Sequence, residues 1–323
     1  MKTLVEAIND GLHAELERDE RTLVMGEDVG RSGGVFRVTA GLQERFGAER
    51  CVDTPLAEAG LLGTAVGLCM TGWRPIVEMQ YDAFSYPSLD QLITHVGRYR
   101  WRSGGRMGMP LTIRMPYGGG VRAPELHEDS PEAYYVHTPG IKVAIPSTPA
   151  DAKGLLAAAV RDPDPVVILE PKVLYRADRE EVPEGDHVVP LGQARTVREG
   201  DDATIVAYGA MVRVAEAAAE LLEHEGTSVH VLDLRTLRPL DRAGMLGAIR
   251  RTGRLVVVQE APRTAGFAAE VAAIAAEEAM LDLQAPIERV TGYDVAFPYW
   301  RLEDVYLPSS ERVAAAVRRT LEY

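Results

Sequence analysis

Thr22-Leu23-Val24-Met25-Gly26-Glu27-Asp28-Val29-Gly30 is the stretch that decides the fold class. A short apolar run breaks at a glycine, an acidic pair and a second glycine, the pattern of a buried strand that ends in a turn. Upstream, Leu4, Ile8, Leu12 and Leu16 recur at a helical period. Downstream the alternation continues with a helix opening at Glu58, a strand over Pro75–Met79, a helix over Leu89–Arg100 and strands over Leu111–Met115 and Lys142–Ile145. A helix over Ala152–Val160 and the run Val166–Leu169 complete the series. Apolar strands alternating with helices predict a parallel sheet covered on both faces.

From Asp178 to Pro190 the chain turns polar, with charges and breakers packed into Arg179-Glu180-Glu181-Val182-Pro183-Glu184-Gly185-Asp186. Beyond it the alternation restarts, with strands over Thr204–Tyr208, Val229–Leu232 and Leu255–Val258 and helices over Val212–Glu225, Asp241–Arg251 and Ala268–Met280. The fold class is therefore α/β in two domains, each a mostly parallel sheet flanked by helices. We place them at residues 1–178 and 193–323, joined by a linker at 179–192.

A length of 323 residues accommodates two such cores. The formal net charge of -13 argues against nucleic-acid and anionic-membrane binding and favours basic protein partners. No stretch is long and apolar enough to span a bilayer. Met1-Lys2-Thr3-Leu4-Val5-Glu6-Ala7 runs straight into an amphipathic helix with an early acid, unlike a leader peptide. With Cys51 and Cys69 as the only cysteines, we expect a cytoplasmic protein with reduced, structural thiols.

Glu58, in Asp53-Thr54-Pro55-Leu56-Ala57-Glu58-Ala59-Gly60, opens a helix that is otherwise uncharged through Met70. A carboxyl drawn out of water shares a proton near neutral pH; the plainer reading is a first-turn acid stabilised by the helix dipole. Gly60, Gly63 and Gly67 on that helix predict close approach of another backbone, within the domain or from a partner subunit. Glu27 sits at a strand's C-terminal end, where open parallel sheets bind ligands; otherwise it is a solvated turn acid. Phe84, in Gln80-Tyr81-Asp82-Ala83-Phe84, follows another strand and either stacks on a planar heterocycle or fills the core. Gly118-Gly119-Gly120 reads as part of a mobile loop that carries His127 among acids. The sequence contains no Walker loop, nucleophile elbow or dinucleotide fingerprint. It also lacks a Gly-Asp-Gly with a downstream Asn, the magnesium and diphosphate signature of thiamine diphosphate enzymes.

Gly26-Glu27-Asp28-Val29-Gly30, Gly33-Gly34-Val35-Phe36-Arg37, Asp53-Thr54-Pro55-Leu56-Ala57-Glu58, Pro124-Glu125-Leu126-His127, His137-Thr138-Pro139-Gly140 and Asp233-Leu234-Arg235-Thr236 together resemble the β subunit of thiamine-dependent 2-oxo acid dehydrogenases. The resemblance runs from the first helix to Tyr323. It implies a transketolase-like pyrimidine-binding domain followed by a transketolase C-terminal-like domain, and an α2β2 heterotetramer active only with its α subunit. Thiamine diphosphate is then shared between chains, and the magnesium ion (Mg2+) is held by the α subunit.

By the same resemblance, Glu58 matches the catalytic acid that hydrogen-bonds the cofactor's aminopyrimidine, and Leu56, Gln80 and Phe84 match residues lining that ring. Glu27 matches an acid in a polar network linking paired active sites. His127 matches a loop histidine implicated in reductive acylation of lipoyl groups. Leu111, Ala159, Asp162 and Asp164 match positions whose backbone carbonyls hold potassium (K+) in branched-chain relatives. The implied partners include the basic subunit-binding domain and the lipoyl domain of an acyltransferase component.

Glu170-Pro171-Lys172-Val173-Leu174-Tyr175-Arg176, Gln80, Val290–Asp294 and Phe297-Pro298 look more like branched-chain members, so the expected reaction is oxidative decarboxylation of branched-chain 2-oxo acids. Gly118–Val121 with Glu125-Leu126-His127 is equally at home in bacterial pyruvate enzymes, so the alternative is a pyruvate or acetoin dehydrogenase β subunit. A noncatalytic docking subunit is a further reading, against which intact Glu58, Phe84 and His127 speak.

Overall fold

Thr22–Gly26 forms strand β1 with every residue buried, as a strand covered on both faces requires. The computed structural model describes residues 1–177 and 179–323; the expected domain boundary at Asp178 lies outside the described residues. The chain divides into two units, Met1–Gly118 with Leu126–Leu191 and Gly119–Glu125 with Gly192–Tyr323.

In the first unit, β1 is joined by β2 (Cys51–Asp53), β3 (Arg74–Glu78), β4 (Thr112–Tyr117), β5 (Lys142–Ala144) and β6 (Val166–Pro171). They run parallel in the order β5-β6-β4-β3-β1-β2. The helix Leu4–Arg18 starts in a capping box made by Thr3 and Glu6. The helix Pro149–Arg161 is capped by Thr148 and opens on a proline, whose missing N–H costs nothing there. The helix expected over Leu89–Arg100 is broken instead. A 3₁₀ turn at Ala83–Ser88, one α turn at Leu89–Gln91, a π turn at Leu92–Val96 and a short α-helix at Tyr99–Arg102 replace it. Pro87 lies inside the first of these pieces, and Gly97 ends the third where the Pro139 carbonyl leaves no room for a Cβ.

Residues 179–191 stay with the first unit. Val189 packs on Ala144 and Leu155, and Asp186 pairs with Arg161 at 2.5 Å.

The second unit contains β7 (Arg195–Arg198), β8 (Ala203–Ala207), β9 (Val229–Asp233), β10 (Thr236–Arg238), β11 (Leu255–Pro262) and β12 (Glu288–Gly292). Its sheet has the order β12-β11-β8-β9-β7, parallel except for β7. The helices Met211–Glu223, Arg242–Thr252, Phe267–Glu278 and Ser310–Leu321 alternate with these strands. Two mostly parallel sheets flanked by helices are thus the fold. Among the described residues no helix is long and apolar enough to cross a membrane.

At the C-terminal ends of the first sheet's central strands lies a buried ionic cluster. Arg114 grips Glu170 with two bonds of 2.8 and 2.6 Å and also binds Glu78, while the Tyr175 hydroxyl donates to Glu170 at 2.6 Å. Burial pushes the Glu78 carboxyl above its ordinary pKa, against the pull of Arg114. Removing the guanidinium would strand two buried acids, so Arg114→Leu should cost about 3–5 kcal/mol of stability in urea unfolding followed by circular dichroism. A loss below about 1 kcal/mol, the scale of an exposed pair, would show that the cluster is not holding the strand ends.

Candidate functional site

Glu27 and Glu58 meet because β1 and β2 pair in parallel with Gly26 opposite Asp53. The Thr54 amide donates to the Gly26 carbonyl at 3.0 Å, and the Asp53 carboxylate takes the Gly30 and Arg31 amides at 2.6 and 3.2 Å. Both chain segments are therefore fixed as the backbone turns into the helix Glu58–Met70. Glu27 is buried, and its Oε1 has no hydrogen-bond partner among the described residues. Its pKa is raised by burial first, then by the negative charges of Glu58 and Asp28, against one stabilising bond from the Ala57 amide. Glu58 is half-buried beside it. Two carboxyls thus face one crevice, and the one with the orphaned oxygen has its pKa raised, which places acid chemistry within reach of a ligand at the strand ends.

Leu56, just before this helix, is 78% exposed. Ala59, Gly60, Thr64 and Gly67 form an exposed face of the helix, and a Cβ built on Gly67 would meet nothing within 4 Å. The close approach that the glycines predict is therefore not made on that face by the described residues of this chain.

The segment after β3 supplies an aromatic wall. Tyr81, Phe84 and His127 contact one another edge to face, with centroids 5.3 Å apart for Tyr81–Phe84, 4.2 Å for Tyr81–His127 and 5.0 Å for Phe84–His127. Gln80 donates to Asp28 at 3.3 Å, tying the wall to the acidic turn. His127 is pinned through Asp129, which accepts from the Tyr86 hydroxyl at 2.7 Å and whose carbonyl takes the Gly118 amide at 3.0 Å.

Behind the wall lies a pair that sequence reasoning passed over. Lys172 donates to Asp82 at 3.3 Å with both side chains fully buried, and its ammonium stands 6.0 Å from the centre of the Tyr81 ring. Burial pushes the Asp82 carboxyl up to about 7; Lys172 opposes the shift and the Asp129 charge adds to it. Two signals were available, an acid between aromatics at a strand end and a lysine directly after a buried strand.

The glycine loop is not free. Within the second unit the Gly119 amide donates to Glu260, and the Gly120 and Arg122 amides donate to Glu303; a Cβ on Gly119 would strike the Phe297 ring. Of the four carbonyls expected to hold potassium, that of Leu111 accepts from the Val166 amide at 3.0 Å and that of Ala159 from the Asp162 amide at 3.2 Å. The Asp162 carbonyl accepts from the Arg74 guanidinium at 3.3 Å, and the Asp164 carboxylate pairs with Arg100. Among the described residues no group of His, Cys, Asp and Glu side chains is placed to hold a metal. Cys51 and Cys69 are buried free thiols, each pushed up to about 12 by burial, and are not nucleophiles at neutral pH.

Residues 1–178 match the family model "Transketolase, pyrimidine binding domain", and residues 192–313 match "Transketolase, C-terminal domain". The chain is similar to "Pyruvate dehydrogenase E1 component subunit beta" of Staphylococcus epidermidis, 51% identical over 321 residues that cover 99% of each chain. The protein of the same name from Bacillus subtilis is 50% identical with the same coverage. Among solved structures it resembles "Split gene transketolase, inactive beta4 tetramer", with a TM-score of 0.81 and 25% identity, covering 99% of this chain and 98% of that one.

The buried Asp82 titrates in the opposite sense to a salt-bridged surface acid. Its ordinary pKa of 3.8 rises to about 7 on folding, so the folded chain keeps a proton that the unfolded chain has already released. That contribution to stability is complete below about pH 4 and is lost as pH rises through 7, at up to about 1.4 kcal/mol per unit. In urea unfolding from pH 5 to 8, Asp82→Asn should flatten the decline seen in the parent chain. An equal decline in both would assign the slope to another group.

Proposed function

We propose that this chain, which belongs to the β subunits of 2-oxo acid dehydrogenases built from transketolase pyrimidine-binding and C-terminal domains, supplies half of a thiamine diphosphate site and takes pyruvate as its substrate. The observation that carries the reading is the coupled Glu27–Glu58 pair beside the half-buried Phe84, an acid and an aromatic face at the C-terminal strand ends. When bound, thiamine diphosphate supplies the nucleophilic carbon that adds to a 2-oxo acid and accepts the charge left by departing carbon dioxide.

In this reading Glu58 holds a proton toward the ring nitrogen of the aminopyrimidine. Glu27, whose carboxyl burial and the neighbouring Glu58 charge hold above its ordinary pKa, lies beside it at the same crevice. Phe84 offers its face to the ring, with Leu56 and Gln80 flanking it. His127 holds or releases a proton where an acyl unit passes to a lipoyl group. The diphosphate and magnesium belong to an α subunit in an α2β2 assembly, and the small-residue face of the helix Glu58–Met70 suits close packing against another chain. The net charge of -13 suits a basic subunit-binding domain on the acyltransferase component. Each of the carbonyls of Leu111, Ala159 and Asp162 already accepts a bond, one of them from a guanidinium, and no step is routed through a potassium ion.

Relatives at 51% and 50% identity bear pyruvate names, and that favours pyruvate over the branched-chain substrates expected from local motifs. The motif Glu170–Arg176 has structural employment here: Glu170 with Arg114, Lys172 with Asp82, Tyr175 with Glu170 and Arg176 with the Phe36 carbonyl. Packing accounts for these side chains, so the motif does not by itself favour a branched acyl group.

Co-expressed with its α partner, Glu58→Gln should keep assembly and lose at least about 100-fold in decarboxylation, the scale of a general acid. Unchanged turnover would remove Glu58 from the chemistry. With the same reconstituted enzyme, kcat/KM for pyruvate should exceed that for 3-methyl-2-oxobutanoate by about tenfold or more, the scale on which an apolar pocket distinguishes one or two carbons. The reverse order would return the branched-chain assignment.

A further inference from the structure

Neither Glu27, Glu58 nor the aromatic wall lines a separate cavity of about 570 Å³ in the first unit. Its walls carry three guanidiniums, from Arg37, Arg176 and Arg179, with Glu6 as the one acid among the described lining residues. In a chain of net charge -13 this is a local reversal of sign.

The three arginines differ in what neutralises them. Arg179 donates to Glu6 at 2.6 Å and so spends its charge on that pair. Arg176 donates to the Phe36 carbonyl at 3.1 Å, and Arg37 donates to the Ser32 carbonyl. Carbonyls orient a guanidinium without cancelling it. Among the described residues neither Arg37 nor Arg176 forms an ion pair with a carboxylate.

The backbone beneath them is held in place. Arg37 has a φ of +67°, a left-handed conformation that costs a non-glycine residue about 1 kcal/mol or more. Two bonds from the Asn9 amide, to the Val38 and Ala40 carbonyls at 2.7 and 3.0 Å, anchor the segment that follows. A strained residue fixed on both sides presents its side chain at a set place.

We propose that this cavity binds a phosphate-bearing anion, with Arg37 and Arg176 as its principal ligands and Arg179 at its rim. Two planar, uncancelled guanidiniums match the bidentate geometry and the double charge of a phosphate or diphosphate group. The volume lies within the range of small-molecule sites, so the anion can carry a further group. The site is independent of the thiamine diphosphate half-site.

Isothermal titration calorimetry of the purified full chain in magnesium-free buffer tests this, with inorganic pyrophosphate and ATP as probes. Binding of pyrophosphate should weaken at least about tenfold in both Arg37→Gln and Arg176→Gln, the scale of one charge-assisted bond pair. Arg37→Lys, which keeps the charge but not the fork, should fall between. Glu58→Gln should bind as the parent chain does, separating this site from the cofactor site. Tighter binding of ATP than of pyrophosphate identifies a nucleotide site, and equal binding identifies a site for the free anion. No binding of either probe at millimolar concentration, or equal binding by the parent and both glutamine variants with circular dichroism unchanged, overturns the proposal.

Discussion

The buried grip of Arg114 on Glu170 and Glu78 is the constraint from which the first unit's site follows. In a parallel sheet the C-terminal strand ends are where side chains can converge on a ligand, but nothing in the ladder fixes how far each strand runs before it turns away. A guanidinium shared by acids on both neighbouring strands sets that limit for β3, β4 and β6 at once. Asp82 lies four residues beyond Glu78, and Lys172 two beyond Glu170, and these two side chains form a second buried pair across the same strand ends. The aromatic wall of Tyr81, Phe84 and His127 stands on that second pair. Displacing the first cluster would move the wall.

The acids at the end of β1 work differently, because nothing cancels them. Glu27 has an orphaned buried oxygen and a neighbouring acid, and the Asp53 carboxylate, which could have joined them, is occupied with the Gly30 and Arg31 amides. Such local strain has a physical use only where a proton or a cation arrives to relieve it. Under the proposed function this distinguishes the crevice at Glu27 and Glu58 from the cluster at Arg114, although both contain buried acids with raised pKa values.

Legibility in the sequence followed the length and regularity of each signal. The run Thr22–Met25 and the helix opening at Glu58 were readable because apolar periodicity and a single charged residue leave few alternatives. Leu89–Arg100 was misread because its period is helical while Pro87 and Gly97 force the backbone through 3₁₀ and π turns. β2 is three residues long and β7 is an antiparallel edge with no fully buried residue, so neither carries an apolar run. The glycine loop reads as mobile in the sequence because the carboxylates that receive its amides, Glu260 and Glu303, lie more than a hundred residues away. Lys172 is the sharpest case: read as part of a substrate-type motif, it is a buried counter-charge.

Sequence similarity and internal packing also weigh differently on specificity. A motif can recur between enzymes because it builds the acyl pocket or because it holds the scaffold, and identity alone does not separate the two. In Glu170–Arg176 the polar side chains Glu170, Lys172, Tyr175 and Arg176 are each bonded within the chain. Glu170, Lys172 and Tyr175, which are buried, cannot also select among acyl groups without giving up a buried bond, a loss of about 1–3 kcal/mol each, whereas the exposed Arg176 keeps its charge. Leu56, 78% exposed, and the half-buried ring of Phe84 carry no such buried polar bond. Under the proposed function the buried motif fixes the strand ends that carry the aromatic wall, and selection among acyl groups falls to residues outside it.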